Sequence, residues 1–211
     1  MMQFLSRLFP QRTERPLYGL FTELAELLVQ AADTHSKLLG HGIRERTRIA
    51  PRLHEQATVA EELCRRIAER LAHSLITPYE AELLYDFALT MADAVDAMEH
   101  TAELLVLTST GALPTPLMEA AKGIERASEL TVAATWKLAG VRDLGEYYAQ
   151  VRKLKRQGDR LVRRALAEIS SRGGSTGELL PLHDVAHSLR DTIVLLEKLA
   201  RIADLLRVKD A

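Results

Sequence analysis

The chain has 211 residues, 28 of them basic and 29 acidic, and 47% are hydrophobic while only 5% are aromatic. A net charge of −1 gives no bulk attraction for nucleic acid, and apolar content dominated by Leu and Ala suits helix-on-helix packing far better than sheets. A single cysteine, Cys64, excludes an internal disulfide and fits a reducing compartment.

The opening MMQFLSRLFPQR has two basic residues among apolar ones, and Pro10 cuts it short before a signal-peptide core can form. Residues 1–16 read as an N-terminal segment ahead of a bundle spanning 17–211. Phe4, Leu5, Leu8 and Phe9 are expected to pack onto that bundle, with a membrane-surface role as the alternative. No apolar run reaches the roughly 18 residues of a membrane span, so a cytoplasmic protein with no transmembrane segment is expected.

Helical periodicity then runs almost unbroken. A first helix is predicted from about Leu17 to Leu39, stopped by Gly40 and Gly42, and a second from about Ile49 to Ser74. Thr77 is a good N-cap and Pro78 suits a first turn, so the third helix is predicted from Pro78 to about Ser109. Gly111, Pro114 and Pro116 mark the central break. Three more helices are predicted at about Pro116–Leu138, Leu144–Ser171 and Gly177–Val208, and no strand is expected. Long helices with short connections run antiparallel to their neighbours. The expected fold is therefore all-α, an elongated antiparallel six-helix bundle made of two three-helix repeats, about 17–111 and 114–211.

Two helices carry the charge that matters. On the third, Asp86, Asp93, Asp96, Glu99 and Glu103 recur along one broad side. Such a stripe binds metal, pairs with a basic partner or faces water. In the fifth, seven of the fourteen residues of VRKLKRQGDRLVRR are basic: Arg152, Lys153, Lys155, Arg156, Arg160, Arg163 and Arg164. That run reads as a solvated face, as a partner for the acidic third helix within or between chains, or as a surface for an anionic partner. Nucleic acid is the weakest option, because no stacking aromatics interleave the run. Arg44, Arg46, Arg48 and Arg52 form a smaller basic patch at the entry to the second helix.

Enzymatic signatures are missing. The sequence is read as having no P-loop, no dinucleotide glycine fingerprint, no GxSxG elbow and no Glu-x-x-His unit for a di-iron bundle. His183 and His187 share a helical face at metal-ligand spacing, but no further ligands follow at a diagnostic interval.

The segments ITPYEAELL and MADAVDAMEHTAELL, with the opening LYGLFTELAELLVQAADTHSKLL and the closing TIVLLEKLARIADLLRVK, resemble the PhoU-like family, closest to the branch that accompanies Pit-type phosphate transporters. The shared elements are Leu75-Ile76-Thr77-Pro78, then Glu80 and Glu82, then Asp93 and Asp96. The resemblance covers nearly the whole chain. It implies a non-enzymatic accessory or regulatory protein of phosphate transport, often oligomeric, whose partner is a phosphate permease or its regulators. Membrane association would then be peripheral, through that partner.

Members of that family commonly bind iron, zinc or similar cations through Glu/Asp-x-x-x-Asp pairs. The positions here are Ala57 with Glu61, Ala92 with Asp96, Lys155 with Asp159, and Arg190 with Val194, so every pair has lost an acid. Glu61, Asp93, Asp96 and Asp159 remain as candidate ligands. No resident cofactor is expected beyond a weak divalent or ferric ion, and Lys155 and Arg190 are expected to replace the metal by pairing with Asp159 and neighbouring acids. The alternatives are a metal-loaded bundle for storage or sensing, and a scaffold that self-associates through its charged helices.

Overall fold

A computed structural model of the chain describes residues 11–74, 79–139 and 144–209. It is an all-α fold, and the described residues form six helices: α1 (Gln11–Gly40), α2 (Ile43–Ala72), α3 (Ala81–Leu107), α4 (Thr115–Ala139), α5 (Gly145–Ser171) and α6 (Thr176–Lys209). The N-terminal apolar residues Phe4, Leu5, Leu8 and Phe9 and the Thr77-Pro78 cap lie outside the described residues.

Helices α1, α2 and α3 pack on one another, as do α4, α5 and α6. The two units join where α1 meets α4 and α3 meets α6, while α2 and α5 do not touch. Thus α1, α3, α4 and α6 form the centre, and α2 and α5 are the outer helices. The order of contacts along α3 and α6 is reversed. Asp93 feels the charge of Lys198, and about two turns later Thr101 Oγ1 meets Ser188 Oγ at 2.7 Å. The central pair is therefore antiparallel.

Burial repeats between the units with nearly constant spacing. Leu84, Phe87, Ala88, Met91, Val95, Met98 and Ala102 on α3 are buried, and so are Leu182, Val185, Ala186, Leu189, Ile193, Leu196 and Ala200 on α6, each 98 positions later. On α2 and α5 the same shift relates Leu53 to Val151, Ala60 to Gly158, Cys64 to Val162, Ile67 to Ala165 and Leu71 to Ile169. Those positions recur every three or four residues, so each outer helix buries one stripe and solvates the rest. The core is close-packed around Phe21 and Phe87, whose ring centroids are 6.2 Å apart.

The start of α2 differs from the sequence expectation. Pro51 resembles a first-turn proline, yet the helix begins at Ile43 and carries Pro51 in its interior. Arg46 holds the added turns in place. It is not part of a surface basic patch with Arg44, Arg48 and Arg52 but is 2% exposed. Its Nε and Nη2 donate to the carbonyls of Leu38 and Leu39 at the end of α1, at 3.3 and 3.2 Å. Its Nη1 donates to those of Thr110 and Gly111, just past α3, at 2.6 and 3.1 Å. A helix C-terminus leaves carbonyls without N–H partners and carries partial negative charge. One guanidinium fork meets both needs at two chain segments at once.

Contrary to the expectation of no GxSxG, the segment Gly173-Gly174-Ser175-Thr176-Gly177, which leads into α6, has the letters of that motif. Here it joins two helices, and Ser175 sits at the start of α6. The Ser175 N–H and hydroxyl both donate to Glu178 Oε2, at 2.9 and 3.0 Å. That is the reciprocal half of a capping box, and these bonds hold the Glu178 carboxyl below the usual carboxylate range. Ser175 caps a helix.

Candidate functional site

The sequence-derived ligand positions occupy matching places in the two units. In the first, Ala57 and Ala92 are buried on α2 and α3, while Glu61 and Asp96 are exposed. Asp93 is half-buried, and burial pushes its carboxyl up; Lys198 on α6 opposes that shift, and the charge of Asp96 adds to it. Cys64 on α2 lies close enough for Asp93 to raise its thiol further, beyond the larger effect of burial. Asp93 therefore lies within reach of the charge of an ammonium from the other unit. Sequence reasoning missed Lys198, because nothing local places α6 beside α3.

In the second unit Lys155 Nζ lies 2.7 Å from Asp159 Oδ2, one turn away on α5. Both side chains are mostly covered, at 27% and 16% exposure. The ammonium thus stands on the carboxylate that a metal pair would use. Asp159 Oδ1 is buried and has no hydrogen-bond partner among the described residues. Beside the pair, Gly158 lets α5 approach α6: a Cβ there would sit 2.7 Å from Ile193 Cδ1. A cavity of ≈20 Å³ opens between α4 and α5 next to Lys155, Glu119, Gly123 and Gly158, large enough for about one water. Arg190 is exposed on α6, and no ion pair involves it among the described residues. The structure thus forms the expected Lys155–Asp159 pair but leaves Arg190 apart from it.

These residues do not fit a multinuclear cation centre. Such a centre needs several anionic oxygens converging on hard cations. Two of the positions are alanine, a third is lysine already bonded to its acid, and no three His, Cys, Asp or Glu side chains converge on one point among the described residues. His183 is half-buried and His187 exposed, without a third ligand.

The basic residues of α5 fall on its outer side. Arg152, Lys153, Arg156, Arg160, Arg163 and Arg164 are all exposed. Arg152 stacks over the Tyr148 ring with its guanidinium 6.0 Å from the centroid, and Arg164 Nε donates to Glu168 at 3.2 Å. Lys153, Arg156, Arg160 and Arg163 have no ion pair among the described residues. On α3, Glu99 Oε1 meets His54 Nδ1 of α2 at 2.5 Å, and that bond raises the imidazole above its ordinary value. Glu82, Asp86, Asp96 and Glu103 are exposed and unpaired among the described residues. No helix among them is long and apolar enough to cross a membrane.

No family model matches the sequence, and no curated protein matches it. Among solved structures, the chain is similar to the crystal structure of a PhoU-like phosphate regulatory protein from Shewanella oneidensis MR-1. Identity is 14%, the TM-score is 0.77, and the match covers 92% of this chain and 99% of that one. The six-helix arrangement described above is thus a PhoU-like fold.

Proposed function

We propose that this chain is a non-enzymatic, cytoplasmic accessory protein of inorganic phosphate transport, acting by contact with a phosphate permease of the Pit type or with its regulators. The observation that carries this reading is the PhoU-like fold over nearly the entire chain. The resemblance to family segments at both ends and around Asp93 supports the finer assignment. In this reading the charged outer surfaces are for contact, and no resident cofactor takes part. The direct test is co-expression with a Pit-type permease in cells lacking other phosphate uptake. Co-purification of the two, with altered uptake, is the expected result. Unchanged uptake and no complex would overturn it.

Lys155 then acts as a built-in cation, with Glu61, Asp93 and Asp96 left to hold at most a weak divalent or ferric ion. A nearby positive charge stabilises a carboxylate that would otherwise be raised by burial and by like charges. Purified without chelator, the protein is expected to carry little iron or zinc, and Lys155→Glu with Arg190→Glu is expected to raise the metal content. Unchanged metal together with unchanged stability in the double variant would sink the substitution idea.

A further inference from the structure

The two outer helices hold equivalent places in the two units but present different surfaces. On α5, nine positions between 149 and 167 are exposed; six of them are Arg or Lys and none is acidic. The same 98-position shift places His54, Glu55, Thr58, Glu62, Arg65 and Arg66 of α2 where α5 has those six bases, and all six are exposed. Arg65 is bonded there to Glu62 and Glu69. Solvation in this fold is thus met by both signs together, and water alone does not call for the single sign on α5. The helices that pack on α5 are balanced as well: α4 has three bases and three acids, and α6 has five of each. Nor does the acidic stripe of α3 neutralise the basic face, since α3 and α5 do not touch and α6 packs on both.

We infer that the outer face of α5 docks this chain directly on an anionic phospholipid bilayer, with no protein between them. At about 100° per residue, Arg152, Lys153, Arg156, Arg160, Arg163 and Arg164 fall within about 120° of the helix circumference and span about 18 Å along it. Such a stripe can lie flat on a surface. Clustered bases on one helix face are drawn to acidic headgroups, and a field of many headgroups demands no register. A protein partner is held differently, mainly by aromatic and aliphatic anchors in pockets. Among the described residues, none of the exposed large apolar side chains belongs to α5, so its face suits headgroups better than an acidic protein surface. For the same reason the contact stays at headgroup level: there is no apolar side to bury among the acyl chains, and binding is electrostatic and reversible.

The test uses vesicles that contain no permease, so this inference and the transport reading can each fail without the other. At about 0.1 M salt the full chain should sediment with vesicles of phosphatidylglycerol in phosphatidylcholine and not with phosphatidylcholine alone, and about 0.5 M salt should release it, because the attraction is screened. Arg156→Gln/Arg160→Gln/Arg163→Gln on α5 should weaken the partition about a hundredfold, at about fivefold for each base near an anionic surface. Arg65→Gln/Arg66→Gln/Arg70→Gln on α2 removes the same net charge from a face of mixed sign, and should change the partition less than about threefold. All six side chains are exposed, and both variants should match the wild type by far-UV circular dichroism. Failure of the wild type to bind anionic vesicles overturns the proposal, as does binding that ignores salt or an equal loss in the two variants. A chain that ignores vesicles yet captures a permease through Arg156, Arg160 and Arg163 also overturns it, and gives the face to an acidic protein surface instead.

Discussion

Arg46→Ala is expected to destabilise the fold by about 3 kcal/mol, the largest loss of any single substitution considered for this chain. The guanidinium is nearly fully covered and donates to four carbonyls in two separate segments. Truncation leaves those oxygens without donors beside a half-open cavity of ≈390 Å³ lined by Leu39, Arg46, Thr110 and Gly111. Each unsatisfied buried group costs about 1–3 kcal/mol, and bonds to a charged partner are the stronger kind. Relaxation and entering water recover part of that sum. Arg46→Lys keeps the charge but not the planar fork, and is expected to recover less than half of the loss. Chemical denaturation of the three proteins at one pH measures both differences. A loss below about 1 kcal/mol for the alanine variant, the size of an ordinary surface change, would mean that the bonds are not what holds α2's first turns.

Lowering the pH from 7 to 4 is expected to remove about 3 kcal/mol through one residue, His35. Its side chain is 0% exposed, neither ring nitrogen has a hydrogen-bond partner among the described residues, and burial pushes its pKa down to about 4. An imidazole in an unfolded chain titrates near 6.5. Between those two values the unfolded state binds the proton and the folded state does not. Stability from this group is therefore complete above about pH 6.5 and is lost as pH falls toward 4. At about 1.4 kcal/mol per unit, the gap corresponds to the figure above. Carboxylates held low in the fold, such as Glu178, add loss in the same direction, so the wild-type curve alone does not isolate His35. His35→Leu does: it fills similar space, removes two buried polar atoms and cannot charge. The difference between the two stability curves should be nearly flat above pH 7 and widen steadily below 6.5. Parallel curves down to pH 4 would place the acid sensitivity elsewhere.

Both predictions rest on residues that the sequence does not mark. Arg46 reads locally as one of four arginines at a helix entrance. Its role depends on carbonyls at Thr110 and Gly111, more than sixty residues away. His35 reads as an isolated histidine on a helix of mixed polarity, and only packing shows that its position is interior. The Lys155–Asp159 pair was legible for the opposite reason. Residues four apart on a helix are neighbours whatever the tertiary structure, so once the family resemblance marked those two positions the contact could be expected. Arg190 needed α6 to turn toward a carboxylate, and it does not.

The chain's own sequence determined the six helices found among the described residues, their pairing into two units of three and most of their approximate ends, although α1 and α2 begin six residues earlier than expected. Gly and Pro interrupt the periodicity at the connections, and apolar residues recur every three or four positions between them. Those are local properties, decided by backbone conformation and by which stripe of a helix can be buried. It also determined that α3 is acidic and α5 basic. Tertiary structure alone decided that these two helices are kept apart by α6, that the charge of Lys198 reaches Asp93, and that Thr101 meets Ser188 across the two units. The physical reason is the same in each case. A helix specifies its own faces, but which face meets which is settled by close packing of all six, and that information is spread over the entire core.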